Sequence, residues 1–249
     1  MVTLHYDGGK FAGWQRQSDG RTVQAEVEAV LERLCQQPIR VHGAGRTDAG
    51  VHALGMPVSL TVPDRWDPAE LRRALNALLP EDCWAAECRE TRPGFHARKC
   101  ATSRRYRYVI GTDETSRSPF RRRYEWALAE PLAASLLRDS ARLLAGEHDF
   151  TRLSVRSSAR EHKRCRVAAA AWTERAGCPG FEFEIEADRF LHHMVRMLVG
   201  TMVDIALERR PLTDLSGLLE GRAGIITSPP APPEGLYFMA AEYPGEWYR

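Results

Sequence analysis

The residues best placed to do chemistry lie in Gly45-Arg46-Thr47-Asp48-Ala49-Gly50-Val51-His52-Ala53. Gly45 and Gly50 permit backbone conformations that other residues resist, so Asp48 is expected on a loop that presents its carboxylate. A carboxylate on a rigid, Gly-flanked loop can act as a covalent nucleophile. The plain alternative is an Asx-type turn with a solvated ion pair to Arg46. A second group is Phe95-His96-Ala97-Arg98, followed by Ser103-Arg104-Arg105-Tyr106-Arg107-Tyr108. Tyr106 offers a flat face, and stacking is how proteins hold an extruded nucleobase. The arginines around it suit phosphate contacts; without that context, Tyr106 reads as a core aromatic of a strand.

A third group is His192-His193-Met194-Val195-Arg196, expected on a helix. Adjacent helical residues point about 100° apart, and the i, i+4 spacing of metal-binding histidines is missing, so no metal site is expected. Arg196 lies among Met194, Val195, Met197 and Leu198, where an unpaired guanidinium is costly.

Composition narrows the classes. The chain has 249 residues, 43% hydrophobic and 27% charged, which fits a folded globular protein rather than a disordered one. No apolar run approaches the roughly 18 residues of a membrane span. Met1-Val2-Thr3-Leu4-His5 shows no secretory pattern, and six scattered cysteines without a CxxC pair suit reduced thiols rather than a disulfide framework or zinc ribbon. A cytoplasmic location, with no membrane and no metal, is expected. The net charge is only +2, yet residues 89–123 hold eleven Lys/Arg against three acids, a net +8. The remainder, +2 less +8, carries −6. A basic block on an acidic protein is a candidate phosphate-binding surface. Arg152, Arg156, Arg160, Lys163, Arg164 and Arg166 form a second such group.

The elements that must position these residues follow from periodicity. Val2–Tyr6 alternates as a strand, and Val23, Val27, Val30, Leu31 and Leu34 make a helical stripe capped by Thr22. Val58–Val62 alternates as a strand. Asp67-Pro68-Ala69-Glu70 starts a helix with Leu71, Leu75, Leu78 and Leu79 on its buried face. Cys83–Glu90 is expected to be a strand, and with the short segment Ile39 to His42 leading into the central loop the first part reads β-α-β-β-α-β, a ferredoxin-like order. Further on, strands are expected at 104–110, 166–173, 181–187 and 236–243, with helices at 132–144 and 191–205. Ser228-Pro229-Pro230-Ala231-Pro232-Pro233 is an extended loop.

The string GRTDAGVHA resembles the catalytic motif of the tRNA pseudouridine synthase A family. The resemblance covers nearly the whole chain, through Tyr6-Asp7-Gly8, Gly13 to Gln17, Thr22-Val23-Gln24, Asn76 with Leu79-Pro80, Gly146 to Phe150, the HHMVR string and Glu234-Gly235-Leu236-Tyr237. It implies an α+β protein of two ferredoxin-like halves with largely antiparallel sheets and an active-site cleft between them. Residues 1–99 would carry the Asp loop, and residues 100–249 the Tyr and the Arg helix. The implied activity is conversion of uridine to pseudouridine at positions 38, 39 and 40 in the anticodon stem-loop of tRNA, by a homodimer and with no cofactor. In that family the matching Asp is the nucleophile, so the role falls on Asp48, with attack at C1′ or at C6 left open. Tyr106 would hold the flipped base and Arg196 would pair with Asp48. Arg46, Phe95, His96, Arg98, Arg104, Arg105, Arg160 and Arg164 would contact the RNA. One departure stands out: the family continues the loop with Gly-Gln-Val, whereas here Gly55 is followed by Met56-Pro57, and Pro57 removes a backbone donor. A non-catalytic RNA-binding protein on the same scaffold fits the charge equally well; Asp48, Tyr106 and Arg196 occurring together argue for the enzyme, and a sibling pseudouridine synthase acting on other RNA would share the chemistry.

Overall fold

The computed structural model describes residues 1–155 and 163–248. Arg156 and Arg160 of the second basic group lie outside the described residues. The chain forms two compact units, residues 1–103 with the segment from Tyr237 onward, and residues 104–236. No helix among the described residues is long and apolar enough to cross a membrane.

The first unit runs β1 (Val2–Tyr6), α1 (Val23–Cys35), β2 (His42–Gly43), β3 (His52–Ser59), α2 (Pro68–Leu78) and β4 (Cys83–Cys88). Strand β1 pairs antiparallel with β3 and β4, and β2 pairs antiparallel with β3. That gives the ferredoxin-like order β4-β1-β3-β2. The helices form where the sequence signals them. The Thr22 side chain accepts from the Ala25 N–H and caps α1, whose Val23, Val27, Val30 and Leu31 are buried. Asp67 accepts from Ala69 and Glu70 at the start of α2, with Pro68 in the first turn and Leu71 and Leu75 buried. Leu4, Leu31, Met56 and Leu75 are all 0% exposed, and full burial of each such side chain contributes about 1.5–3 kcal/mol.

Strand β3 corrects the expected span of 58–62. It begins at His52, four residues after Asp48, because β1 pairs with Val58, Pro57, Met56 and, past a register shift, Ala53, and the C-terminal strand pairs with His52. Beyond Ser59 there is no β1 residue left to pair. The register also accommodates Pro57. Its carbonyl accepts from Ala44, so its missing N–H falls on the side of β3 away from β1, between the residues paired with β2 and those paired with the C-terminal strand.

The second unit runs β5 (Ser103–Gly111), β6 (Trp126–Ala127), α3 (Ala134–Arg142), β7 (Gly146–Asp149), β8 (Arg164–Glu174), β9 (Gly180–Ala187), α4 (Met194–Ala206) and α5 (Thr213–Leu219). Its sheet has the order β5-β9-β8-β7, antiparallel throughout, with β6 parallel to β5. Tyr106, Tyr108 and Ile110 share the buried face of β5 and Phe183, Ile185 and Ala187 that of β9, as period two requires. Helix α4 is buried on nearly every side, through Met194, Val195, Leu198, Val199, Met202 and Ile205, and packs on α3. The short elements β2, β6, β7 and α5 have no sequence signal, since two to seven residues hold too little periodicity. The last strand, β10 (Leu236–Glu242), pairs parallel with β3 at Tyr237–His52 and Phe238–Ala53, which places the strand's residues from Tyr237 in the first unit.

One side chain ties α2 to β4. The Asn76 amide donates to the Ala85 carbonyl at 2.9 Å and accepts from its N–H at 2.7 Å. Asn76→Ala should therefore lower stability by about 1–3 kcal/mol, because Ala85 is buried and both its groups lose their partner. A urea midpoint unchanged from wild type, at equal slope, would show that this tie contributes nothing.

Candidate active site

In the first unit the Asp48 loop is fixed chiefly through its backbone. Trp14 N–H donates to the Thr47 carbonyl at 3.0 Å, Gly50 N–H to Phe11 at 3.3 Å, and Val51 N–H back to Asp48 at 3.2 Å. The hydroxyls of Tyr6 and Thr47 lie 2.9 Å apart and are buried. The approach is close enough to exclude a methyl group: a Cβ at Gly13 would sit 2.8 Å from the Thr47 carbonyl oxygen, and one at Gly8 would sit 2.1 Å from that of Val51. Gly50 has φ +79°, the left-handed turn that its type permits. His52, at the loop's end, is buried, accepts from Gly8 N–H at 3.0 Å through Nδ1, and stacks on Tyr237 at 4.9 Å. Asp48 emerges half-buried and Arg46 exposed. The result is a carboxylate on a stiff support that solvent, and hence substrate, can reach.

The same unit holds Phe95, His96 and Arg98. Phe95 packs edge-on to Tyr243 at 5.0 Å, and Ala97 is held between Ser59 Oγ and the Tyr243 hydroxyl. His96 stacks on His42 at 4.8 Å. Burial, and then His42 beside it, push its pKa down, which favours a neutral ring suited to stacking over a cation suited to phosphate. Arg98 is exposed.

In the second unit Tyr106 is 8% exposed, opposite Ile185 in the sheet, and T-shaped against Phe190 at 4.8 Å. Phe190 was not singled out in the sequence; nothing but its place two residues before His192 could have marked it. Arg104 donates through Nη1 to the Asp188 carbonyl at 2.9 Å, and Arg105 is exposed. Arg164 pairs with Glu147 at 2.7 Å, an exposed pair of the kind worth about 0–1 kcal/mol, so a phosphate could displace the carboxylate.

The histidines are not on the helix. His193 has φ +61°, which sets the start of α4 at Met194 and leaves His192 and His193 in the preceding turn, with ring centroids 4.2 Å apart. The expected helical geometry for this pair is therefore corrected. Arg196 does lie on α4, half-buried. Its Nε donates to the Ala231 carbonyl at 2.7 Å, while its own carbonyl accepts from Ala231 N–H at 2.9 Å. This two-way tie fixes both the guanidinium and the Pro-rich loop. Gly200, one turn on, lets the loop come close, since a Cβ there would lie 2.2 Å from the Pro229 oxygen. The buried Tyr108 hydroxyl donates to Pro232 at 2.7 Å. Of the expected site residues, Tyr106, Arg104, Arg105, Arg164 and Arg196 belong to this unit, and Asp48, Arg46, Phe95, His96 and Arg98 to the first.

Gly13→Ala should test the loop support. Gly13 has φ +105° and meets the Thr47 backbone, whereas Gly94 has φ +86° with open space around its missing Cβ. Both substitutions carry the strain of a left-handed alanine, roughly 1 kcal/mol or more, but only Gly13→Ala must also move the Asp48 loop. Chemical denaturation should show the larger loss for Gly13→Ala; equal losses would mean that the close approach is not limiting.

Comparison with known proteins identifies the family. A family model described as tRNA pseudouridine synthase matches residues 3–98 and 140–244; Asp48 and Arg196 fall inside the matched segments and Tyr106 between them. The tRNA pseudouridine synthase A of Moorella thermoacetica is 40% identical over 244 residues, spanning 97% of this chain and 98% of that protein. Those of Geobacillus kaustophilus and Rhodospirillum rubrum are 38% and 36% identical, each spanning 98% of this chain and 93% and 87% of their own length. The chain belongs to the tRNA pseudouridine synthase family and is an isomerase.

Proposed function

We propose that this enzyme converts uridine to pseudouridine in tRNA, at positions 38, 39 and 40 of the anticodon stem-loop, as a cytoplasmic homodimer. The observation that carries the reading is the half-buried Asp48 on its backbone-clamped GRTDAGVHA loop, in a chain with full-length relatives named tRNA pseudouridine synthase A. The target uridine leaves the stack at a cost of a few kcal/mol, offset by base stacking and phosphate contacts. Tyr106 holds the flipped base, and Phe95, His96, Arg46, Arg98, Arg104, Arg105, Arg160 and Arg164 grip the RNA around it.

Asp48 then attacks, at C1′ of the ribose or at C6 of the base. The N1–C1′ bond breaks, the uracil turns, and C5 bonds to C1′. The carboxylate is released, the hydrogen leaves C5, and N1 gains a proton. Product and substrate have the same atoms and oxidation level, so the chemistry calls for no cofactor. Tyr106 assists removal of the C5 hydrogen. Arg196 is the third catalytic residue, and its guanidinium, aimed by the Ala231 carbonyl, offers a carboxylate a planar fork that lysine lacks.

Asp48→Asn should bind tRNA nearly as well as wild type and form no pseudouridine, because phosphate contacts supply most of the affinity while the amide cannot attack. Full turnover by this variant would refute the assignment. Arg196→Ala should lose about 1–3 kcal/mol of stability with its Ala231 bond and most of its turnover. Arg196→Lys should keep more of the stability and still lose much of the rate. Wild-type turnover by the lysine variant would show that the fork geometry is irrelevant.

A further inference from the structure

The part of the basic block that follows β5 has no role in the site described above. The segment Arg117-Ser118-Pro119-Phe120-Arg121-Arg122-Arg123-Tyr124 contains four arginines and no acid. It is tightly folded: Ser118 N–H donates to Thr115, Arg121 and Arg122 N–H both donate to the Ser118 carbonyl, and Tyr124 N–H to Arg121. Arg121 points inward. Its two terminal nitrogens bond the Asp113 carboxylate at 2.8 and 2.9 Å, and its Nε lies 2.8 Å from Glu125. Glu125 is 3% exposed and also takes Arg175 at 2.6 Å. Gly111 leaves room for the buried end of this latch, since a Cβ there would lie 2.6 Å from Glu125 Oε1.

The latch holds an unusual outer surface. Phe120 is 88% exposed, more than any other large apolar side chain among the described residues, and Arg117 and Arg122 are exposed beside it in the chain. A rigid turn that shows a bare aromatic ring between cations has the two parts of a single-stranded nucleic-acid contact, a stacking face and phosphate ligands. A second copy of this chain is a poorer occupant, because an isologous contact would bring the two arginine clusters together. The position also separates Phe120 from the reacting base. Tyr106 lies five residues before the end of β5 at Gly111, roughly 17 Å along the strand at about 3.4 Å per residue, and the turn begins beyond that end.

We propose that Phe120 is a stacking platform for an unpaired nucleotide of the substrate RNA other than the reacting uridine, with Arg117 and Arg122 on the flanking phosphates. This rests on the reading that tRNA is the substrate. The test is binding of unmodified tRNA, by fluorescence anisotropy across a salt series, to wild type and to Phe120→Ala, Phe120→Leu, Phe120→Trp, Arg117→Ala and Arg122→Ala. Loss of one stacked base should weaken binding about five- to a hundredfold in Phe120→Ala, with Phe120→Trp restoring it and Phe120→Leu not. The slope of log affinity against log salt should stay constant in Phe120→Ala and fall by about one unit in each arginine variant. Wild-type affinity in Phe120→Ala, or full rescue by leucine, overturns the platform. So does sedimentation showing that Phe120→Ala merely dissociates a dimer. If wild type modifies tRNA and Phe120→Ala binds it equally well, only the platform falls; if wild type neither binds nor modifies tRNA, the substrate reading falls and the platform with it.

Discussion

The backbone of residues 8–14 lies against residues 47–51 with no room for a side chain between them, and the first unit is arranged around that contact. Gly8 and Gly13 are required there by space, and Gly13 also by its φ of +105°. Both segments are extensions of paired strands, β1 before one and β3 after the other, so sheet register sets the height at which they meet. The segment past Gly13 is carried on into α1, where Val23 and Gln24 N–H donate to Gly13 and Trp14. Arg21 closes the outside: it makes a two-bond fork to Asp82, bonds Glu26 at 2.6 Å, and lies over the Phe11 ring at 4.2 Å. The fork is the leading reason that the Asp82 pKa is pushed down. Asp48 is thus held by strand, helix and ion pair together, while its own carboxylate is left half-buried. The nucleophilic role proposed for Asp48 needs that combination, since misplacement by about 1 Å can cost a hundredfold in rate.

In the second unit the comparable device is the return of the chain over α4. Arg196 and Ala231 exchange two hydrogen bonds, Gly200 admits the Pro229 carbonyl, and Gly235 packs where a Cβ would meet the Tyr108 ring at 2.7 Å. The Pro-rich stretch is therefore a brace for the guanidinium. Its prolines suit the task, having no N–H to leave unsatisfied and little conformational freedom to lose.

Much of this was legible in the residues. The capping pattern at Asp67, the stripe from Val23 to Leu31 and the alternation around Tyr106 and Phe183 each report a local rule that the tertiary structure obeys. The two helices of the first unit and the long strands of the second follow from them. What could not be read depends on contacts distant in sequence. The start of β3 at His52 is set by pairing with β1 and β10, the parallel pairing of β10 with β3 joins residues more than 180 positions apart, and the start of α4 at Met194 is set by one left-handed histidine. The same limit applies to charge. The block at 89–123 counts +8 by composition, but Arg107 pairs with Glu184 and Arg121 with Asp113 and Glu125. Arg121 points inward and builds the frame, and the half-buried Arg107 is tied to Glu184 on the outer face of the sheet; Arg105, Arg117 and Arg122 are exposed. Which cations serve the fold and which serve a polyanion is a property of side-chain direction, and composition carries no record of it.

The central claim is that a carboxylate so held rearranges uridine in tRNA without changing its atoms. The most direct test incubates the purified protein with unmodified tRNA and maps pseudouridine nucleotide by nucleotide, beside the mass of the intact RNA. The account predicts pseudouridine at positions 38, 39 and 40 wherever uridine stands there, none elsewhere, and no change in mass. Uridines left unchanged at all three positions, pseudouridine confined to other sites, or a shift in mass would contradict it.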